Sequence, residues 1–306
     1  MRVALVAGET SGDVLGAELI QSIQALAPST EFFGIGGPDM IEAGCQSLFR
    51  AEELSVMGLT EVFRDLPRLL KVRRELIKNF LEVRPDVFIG IDSPDFNLPV
   101  ARTLKKRGIP TVQYVSPQVW AWRQSRVTSV RKATDLVLCI LPFEINFYEH
   151  HAVNAVFVGH PLADQIPITS SQEDARARLG LMGVGPIVAV LPGSRRNEVL
   201  RLSRPFLETM QWLKKRRPEL VFVVAFSTQE MKNVFLEQTA GMDMHPAPKF
   251  FCGQARQVMA ASDVVLTASG TASLEAMLLK RPMVVAYKIS PLTYWILKGM
   301  GVRKLQ

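Results

Sequence analysis

Short apolar runs alternate with longer segments of helical periodicity along the first half of the chain. A polar or glycine-bearing loop follows each run, and the segments between runs repeat their apolar residues every three or four positions. This alternation predicts βαβ units that build a parallel sheet, whose strand-end loops lie at the edge where open sheets bind ligands. The predicted strands cover residues 3–7, 31–35, 86–91, 111–115 and 135–141.

An interruption of this strand–helix alternation predicts a boundary between two domains. The segment Gly159–Thr169 holds two prolines and has mixed polarity, which is typical of a linker. Ser170 and Glu173 then have the spacing of a capping box that opens a helix. A second α/β alternation follows, so we expect a Rossmann-like domain over residues 1–165 and another over 166–306. The second set of predicted strands covers residues 187–191, 220–225, 263–267 and 282–287.

Composition and charge limit the compartment and the binding partners that can be expected for this chain. Its 306 residues are 48% hydrophobic, yet no run reaches the roughly 18 apolar residues of a membrane span. Cys45, Cys139 and Cys252 are widely spaced, which favours reduced thiols in a cytoplasm over a disulfide framework or a zinc site. The net charge of +7 indicates an anionic partner, such as a nucleotide, a nucleic acid or an anionic membrane surface.

Several classes of function fit the pattern poorly. The four histidines follow no ligand spacing, so we expect no metal and no cofactor. The turn Gly8–Asp13 matches neither the dinucleotide-binding nor the phosphate-loop consensus, which favours a plain strand–helix turn. Basic residues are not interleaved with stacking aromatic ones, which disfavours nucleic acid.

Asp92 is the candidate for a catalytic base. It directly follows a predicted buried strand, a position from which a carboxylate can deprotonate a hydroxyl nucleophile. The alternative is an N-cap for the next helix, and Asp95 fits that structural role better.

The turn Ser269-Gly270-Thr271 has the features of a phosphate site. It lies between a predicted strand and a predicted helix, so its backbone N–H groups stand at the positive end of the helix. Glu275, one turn later, could accept hydrogen bonds from sugar hydroxyls. The alternative is an ordinary Ser or Thr N-cap, although Glu275 does not have the spacing of a capping box.

A second turn, Gly193-Ser194-Arg195, also precedes a predicted helix. An arginine beside exposed amides suits a diphosphate, and a cation at a helix start otherwise opposes the helix dipole. We therefore favour a binding role for Arg195, more than for Arg196, over a solvated surface arginine.

For two further surfaces, a purely structural interpretation is as good as a functional one or better. Trp120 and Trp122 could line an apolar or sugar-binding surface, or form a lid packed on the domain. The segment Arg64–Lys78 places leucines and basic residues at helical spacing beside the apolar loop Val56–Leu59. That combination could rest on anionic lipid, although a surface helix with a solvated basic face is more common.

Taken together, separated segments of the chain resemble one family, that of lipid-A-disaccharide synthase. The resemblance runs through the chain in order, and its longest motifs surround Asp92 and Trp120. The matching segments are Gly8–Asp13, Val56–Gly58 with Glu61 and Val62, Pro85–Phe88, Gly90–Asn97, Tyr114–Arg123, Leu141–Glu144, Gly159 with His160, Leu191–Arg195 with Glu198 and Val199, Ala268–Ala272 and Leu274–Met277.

The resemblance implies a GT-B glycosyltransferase, in which two Rossmann-like domains face a cleft. The implied reaction is metal-independent and inverting, and it joins UDP-2,3-diacylglucosamine to lipid X to give the lipid A disaccharide phosphate and UDP. Asp92 is expected to be the base. The residues expected to contact substrate are Ser11, Asn97, Ser116, Trp120, Ser194, Arg195, Glu198, Ser269, Gly270, Thr271 and Glu275.

The resemblance also implies a localisation on the inner face of the inner membrane of a Gram-negative cell. The family's chains continue past the position of Gln306, so we expect that C-terminal helices and a homodimer contact of the family are incomplete here. The residues expected to meet acyl chains or the membrane are Val56, Met57, Leu59, Arg68, Arg73 and Arg74. Two alternatives stay open: another UDP-sugar enzyme of this architecture, such as a UDP-N-acetylglucosamine 2-epimerase, and a non-catalytic membrane-surface binder.

Overall fold

A computed structural model describes residues 1–50, 54, 59–122, 124–244 and 247–288. The chain divides into two compact units, with the boundary between Pro161 and Leu162. This boundary lies a few residues before the predicted end of the first domain.

The first unit contains a parallel sheet of seven strands in the order β3-β2-β1-β4-β5-β6-β7. The strands are β1 (Arg2–Ala7), β2 (Glu31–Gly36), β3 (Cys45–Arg50), β4 (Val87–Ile91), β5 (Thr111–Tyr114), β6 (Leu136–Cys139) and β7 (Ala155–Phe157). The helices are α1 (Thr10–Leu26), α2 (Pro38–Glu42), α3 (Leu59–Val83), α4 (Pro94–Lys105), α5 (Val119–Trp122), α6 (Val127–Ala133) and α7 (Glu144–His150), and a 3₁₀ turn covers Gln124–Arg126.

Helices cover both faces of this sheet, as a buried parallel sheet requires. Alternate residues of β1 point to opposite faces, so Val6 joins one hydrophobic cluster and Leu5 joins another. Helices α3, α4, α6 and α7 contribute to the cluster around Val6, whereas α1 and α2 contribute to the cluster around Leu5. The sheet is therefore the middle layer of three.

The second unit repeats this plan with five parallel strands in the order β10-β9-β8-β11-β12. The strands are β8 (Ile187–Leu191), β9 (Val221–Phe226), β10 (Lys249–Cys252), β11 (Val264–Ala268) and β12 (Met283–Ala286). The helices are α8 (Leu162–Gln165), α9 (Gln172–Arg178), α10 (Arg196–Arg216), α11 (Gln229–Gln238), α12 (Ala255–Ala261) and α13 (Thr271–Leu278). Ala189 and Val190 of β8 again point into clusters on opposite faces.

Two predictions about the linker are wrong in detail. Leu162 and Ile166 are buried in the core of the second unit, so the second half of the predicted linker is part of a folded domain. The N-cap of α9 is Ser171, whose side chain accepts from the Asp174 backbone N–H at 3.1 Å, and not the predicted Ser170. The cap is thus displaced by one residue because the helix begins at Gln172.

The three cysteines are free thiols. Cys45 and Cys139 are buried, and burial, with a smaller contribution from Asp13 or Glu144 respectively, raises the pKa of each thiol to about 12. Both are therefore protonated and unreactive at neutral pH.

Candidate active site

The strand order of the first sheet reverses between β1 and β4, and this is the point where open α/β sheets bind ligands. Ala7 and Ile91 are register partners at the carboxyl ends of these strands, so the loops that follow them meet. A Cβ atom on Gly8 would lie 2.9 Å from Oγ of Ser93, which explains the glycine. The predicted base, Asp92, lies at this switch point.

The backbone around Asp92 is strained. Asp92 has a φ of 50° and Ser93 a φ of 39°, and Val115, at the end of the neighbouring strand, has a φ of 71°. L-residues rarely adopt such left-handed conformations, and clusters of them are found at functional sites. The Asp92 N–H donates to the Tyr114 carbonyl at 2.9 Å, and the residue itself is half-buried.

Two buried side-chain amides hold the Asp92 carbonyl. Nδ2 of Asn97 donates to it at 2.9 Å, and Nε2 of Gln113 donates to it at 3.0 Å. Asn97 is fully buried, so its geometry supports a positioning role and not the predicted contact with substrate. Gln113 was not predicted as a functional residue. Its signal in the sequence was a lone amide inside the largely buried strand β5.

Asp95 has a different role from the predicted N-cap. The N-cap of α4 is Ser93, and Asp95 lies in the first turn with its carboxylate largely exposed. Its Oδ1 is paired with the guanidinium of Arg126.

The Trp120 indole is held against the first unit. Its Nε1 donates to Oε1 of Glu144 at 3.1 Å, and its ring packs edge-to-face on Phe143 at 4.9 Å. Ser116 is buried, and its Oγ lies 3.1 Å from the Tyr148 hydroxyl. This arrangement supports the packed-lid alternative, while the half-buried Trp120 still has exposed surface for a ligand. The Trp122 side chain lies outside the described residues.

The Asp13 side chain of α1 binds the start of α2, in the loop after β2. This carboxylate is buried and accepts from the backbone N–H groups of Gly37, Asp39 and Met40 at 2.8, 3.0 and 3.0 Å. It therefore caps the N-terminus of α2 from across the unit. Ser11 lies half-buried in the first turn of α1.

The second sheet also has a switch point, between β8 and β11. Leu191 and Thr267 are register partners there, so the turn 193–195 and the turn 269–271 follow adjacent strands at the same sheet edge. The structure thereby brings together the two turns in which the sequence predicted diphosphate contacts. Ser194, Arg195, Ser269, Gly270 and Thr271 are all exposed or half-exposed at this edge.

Glu198 shapes the first of these turns. Its Oε2 accepts from the Ser194 and Arg195 N–H groups at 3.2 and 3.3 Å, and its Oε1 lies 3.8 Å from Nη1 of Arg195. A Cβ atom on Gly193, whose φ is 126°, would lie 2.5 Å from Cβ of Glu198. Because Glu198 occupies these amides, the anion-binding capacity of the turn lies in the Arg195 guanidinium.

The second turn begins α13 with Gly270 as N-cap and no side-chain cap, so the alternative of a Ser or Thr cap is wrong. Glu275 does have a structural partner, because its Oε2 accepts from Nε of Arg256 at 3.2 Å. Arg256 in turn donates to Oε1 of Gln165 at 3.2 Å. These bonds fix the orientation of the Glu275 carboxylate.

The candidate membrane surface is only partly described. Val56 and Met57 lie outside the described residues, and Leu59 begins α3 with its side chain outside them. Further along α3, Val72, Leu76 and Phe80 are buried in the core, whereas Arg68 and Arg74 are exposed and Arg73 is half-buried. The described part of α3 therefore presents charge outward.

Within the described residues, no group of three or more His, Cys, Asp or Glu side chains is arranged to hold a metal ion. No helix in that part of the chain is both long and apolar enough to cross a bilayer.

The fold of the chain is similar to the folds of several solved structures. A UDP-GlcNAc 2-epimerase from Neisseria meningitidis, bound to UDP-GlcNAc, superposes with a TM-score of 0.64 at 12% identity, covering 98% of this chain and 86% of that one. A transferase from Siraitia grosvenorii in complex with UDP superposes with a TM-score of 0.54 at 10% identity, covering 97% of this chain and 84% of that one. The predicted GT-B fold class is thus confirmed.

Comparisons of sequence concern the family. The family model described as lipid-A-disaccharide synthetase matches residues 3–301. A lipid-A-disaccharide synthase from Alkalilimnicola ehrlichii is 53% identical over 302 residues, which cover 98% of this chain and 79% of that protein. One from Xanthomonas campestris is 52% identical over 305 residues, which cover 99% of this chain and 70% of that protein. The chain therefore belongs to the lipid-A-disaccharide synthase family of glycosyltransferases.

Proposed function

We propose that this chain joins UDP-2,3-diacylglucosamine to lipid X with inversion, releasing UDP. The acceptor hydroxyl of lipid X attacks the anomeric carbon in line as the bond from that carbon to the UDP oxygen breaks. The base takes the hydroxyl proton, and UDP departs with the bonding electron pair.

The observation that carries this proposal is the placement of Asp92. Its carboxylate follows β4 at the switch point of the first sheet, on a backbone held by two buried amides. A base must lie within hydrogen-bond reach of the hydroxyl in a defined geometry, and a fixed backbone provides this. In this proposal Ser11 and Trp120 contact the sugar or acceptor, whereas the buried Ser116 holds Tyr148.

Arg195 and the amides of the turn Ser269–Thr271 neutralise the diphosphate in this proposal. They follow adjacent strands of one sheet, so they suit the two phosphates of a single ligand. Stabilising the departing diphosphate lowers the barrier because its negative charge grows as the bond breaks. Glu275, oriented by Arg256, binds the ribose hydroxyls, and Ser194 adds a contact beside Arg195.

The chain acts, in this proposal, as a peripheral protein on an anionic membrane surface facing the cytoplasm, where both lipid substrates reside. The exposed basic residues of α3 support this part. Val56, Met57 and Leu59 are proposed to meet acyl chains, and Arg68, Arg73 and Arg74 to meet lipid headgroups.

The test is UDP release in detergent micelles, with and without lipid X, for the chain and two variants. We expect release that depends on lipid X, and a fall of about 10²- to 10⁴-fold in the Asp92→Asn variant, since general base catalysis contributes that much. UDP affinity should persist in that variant. Asp95→Asn is the matched control, because Asp95 lies three positions away with an exposed side chain, and it should stay within about twofold.

Each outcome of this test has a distinct meaning. Full turnover by Asp92→Asn would place the base elsewhere. Conversion of UDP-GlcNAc without any need for lipid X would favour the epimerase alternative, and UDP or lipid binding without turnover would favour the non-catalytic binder.

A further inference from the structure

Two buried amide side chains converge on a single backbone oxygen, the carbonyl of Asp92. Asn97 reaches it from the first turns of α4, and Gln113 reaches it from the middle of β5. Both side chains are at most 1% exposed. Three elements, namely the loop after β4, α4 and β5, are therefore tied together at this oxygen.

The other bonds of these amides end at the same sheet edge. Nδ2 of Asn97 also lies 3.3 and 3.2 Å from the carbonyl oxygens of Val6 and Ile91, so its two N–H groups are shared among three acceptors. Nε2 of Gln113 likewise shares its two N–H groups with the carbonyl oxygens of Tyr114 and Val115, both at 3.3 Å. All five acceptors lie in the last residues of β1, β4 and β5 or in the residues directly after them.

Gly90 leaves room for this arrangement. A Cβ atom at position 90 would lie 2.8 Å from Cβ of Asn97 and 3.1 Å from Oε1 of Gln113. Strand β4, which precedes Asp92, thus has a glycine at the point where the two amide side chains pass over it.

A buried glutamine in a parallel strand needs a reason. Burial of an amide costs free energy that an apolar side chain of the same size would not, so the core of the unit gains nothing from Gln113 that methionine would not supply. Its hydrogen bonds act instead on the left-handed residues, Asp92 and Val115. Such conformations are unfavourable for L-residues and persist only where the surroundings over-determine them.

We propose that Gln113 is a positioning residue for catalysis, which fixes the Asp92–Ser93 peptide and so aims the Asp92 carboxylate at the acceptor hydroxyl. Asn97 is the second anchor of the same carbonyl. This inference rests on the proposed role of Asp92 as base. Without the Gln113 donor the peptide can rotate towards an ordinary φ, and a displacement of about 1 Å at a reacting group can cost about 10²-fold in rate.

The first experiment compares three variants by kcat, by KM for the UDP-sugar and by the urea midpoint of unfolding. Gln113→Met keeps the volume but removes the donor, and we expect kcat to fall about 10- to 100-fold while KM changes less than about threefold. Gln113→His should recover most of the loss, since its Nε2–H is a donor of similar reach.

Thr111→Val is the matched control. Thr111 lies in the same strand, is fully buried, and donates from Oγ1 to the Ala133 carbonyl at 2.9 Å. Its loss should lower stability as much as that of Gln113, because each removes buried hydrogen bonds, yet leave kcat unchanged. An equal fall of kcat in Thr111→Val and Gln113→Met would overturn the inference. If Gln113→Met does not fold, Gln113→Asn replaces it, because its amide is too short by one methylene.

A double-mutant cycle separates this inference from the proposed function. If Gln113 acts through Asp92, the change to methionine should cost no further kcat in an Asp92→Asn background. An additional fall of about 10-fold or more in that background would show that Gln113 acts independently of Asp92, and it would overturn the inference. Loss of turnover in Asp92→Asn with full turnover in Gln113→Met overturns this inference alone, whereas full turnover in Asp92→Asn overturns both.

Discussion

Arg195 is the N-cap residue of α10, where its charge opposes the positive end of the helix dipole. Its contact with Glu198 spans 3.8 Å, and the Arg195 side chain is 44% exposed, so this ion pair by itself contributes little to stability. A cation at this position stabilises the helix poorly, and that favours a role in which it meets an anion.

Replacement of Arg195 by alanine should therefore affect the ligand and not the fold. We expect KM for the UDP-sugar and Kd for UDP to rise about 10-fold or more, since a charged hydrogen bond contributes about 1.5–3 kcal/mol. The unfolding free energy should stay equal or rise slightly because the unfavourable dipole interaction is gone. Calorimetric titration with UDP and urea unfolding measure the two.

Arg196→Ala is the control for that prediction, because Arg196 is the exposed neighbour at the first position of the same helix. It should bind UDP as the parent does. Equal weakening in both variants would indicate a general electrostatic effect, and unchanged binding in Arg195→Ala would remove Arg195 from the site.

Positions of polar residues could be predicted from the sequence, but their partners could not. Asp92, Arg195 and Gly270 follow apolar runs, so their place at strand ends is readable. The bonds of Gln113 to Asp92 and of Glu275 to Arg256 join residues about 20 positions apart, and only the tertiary fold sets those distances. For this reason Asn97 and Glu275 acquire structural bonds that their spacing does not reveal.

At the scale of elements, the predicted strands are those in the interior of each sheet, together with one edge strand, β12. Strands such as β1 and β8 are buried on both faces and read as continuous apolar runs. The strands that were not predicted, β3, β7 and β10, are all edge strands. They are partly exposed, and β7 has only three residues, so their apolar signal is weak.

Helix α2 depends on a carboxylate from another element. We expect Asp13→Ala to lower the unfolding free energy by about 2–4 kcal/mol, because it leaves three backbone N–H groups without their charged acceptor. Urea unfolding followed by circular dichroism measures the change. A loss below about 1 kcal/mol would mean that water replaces the carboxylate at this helix end.

Asp39→Asn is the matched control on the same helix. Partial burial, and then the nearby charges of Asp13 and Glu42, raise the pKa of the Asp39 carboxyl. A raised pKa means that the folded state disfavours the charged carboxylate, so removing this charge should not lower stability at neutral pH.

At the scale of the molecule, the two-unit organisation could be predicted because the α/β alternation occurs twice, separated by a proline-bearing segment. The surface that meets a membrane could not be predicted in the same way. The leucines and basic residues of α3 have the spacing of a lipid-inserting helix, yet Val72, Leu76 and Phe80 pack in the core of the first unit. Periodicity shows that a face is apolar but not what covers it.

Whether a helix inserts apolar side chains into a membrane or presents charges to it decides how its membrane binding depends on salt. Because Val72, Leu76 and Phe80 face the core, the described part of α3 offers a membrane mainly its charges, with Leu66 as an exposed apolar residue. Each basic residue near an anionic surface contributes about 1 kcal/mol, so reversing Arg68, Arg73 and Arg74 to glutamate should weaken binding to phosphatidylglycerol vesicles about 100-fold or more at low salt. The parent should detach as ionic strength rises towards about 1 M, where the Debye length is about 3 Å. Flotation of the chain with such vesicles measures both effects.

A variant with Arg178, Arg201 and Lys215 reversed in the second unit has the same net charge as the α3 variant, and it should float like the parent. Equal loss in both variants would reduce the effect to net charge, and binding that survives high salt would assign the contact to apolar residues instead of the basic face of α3.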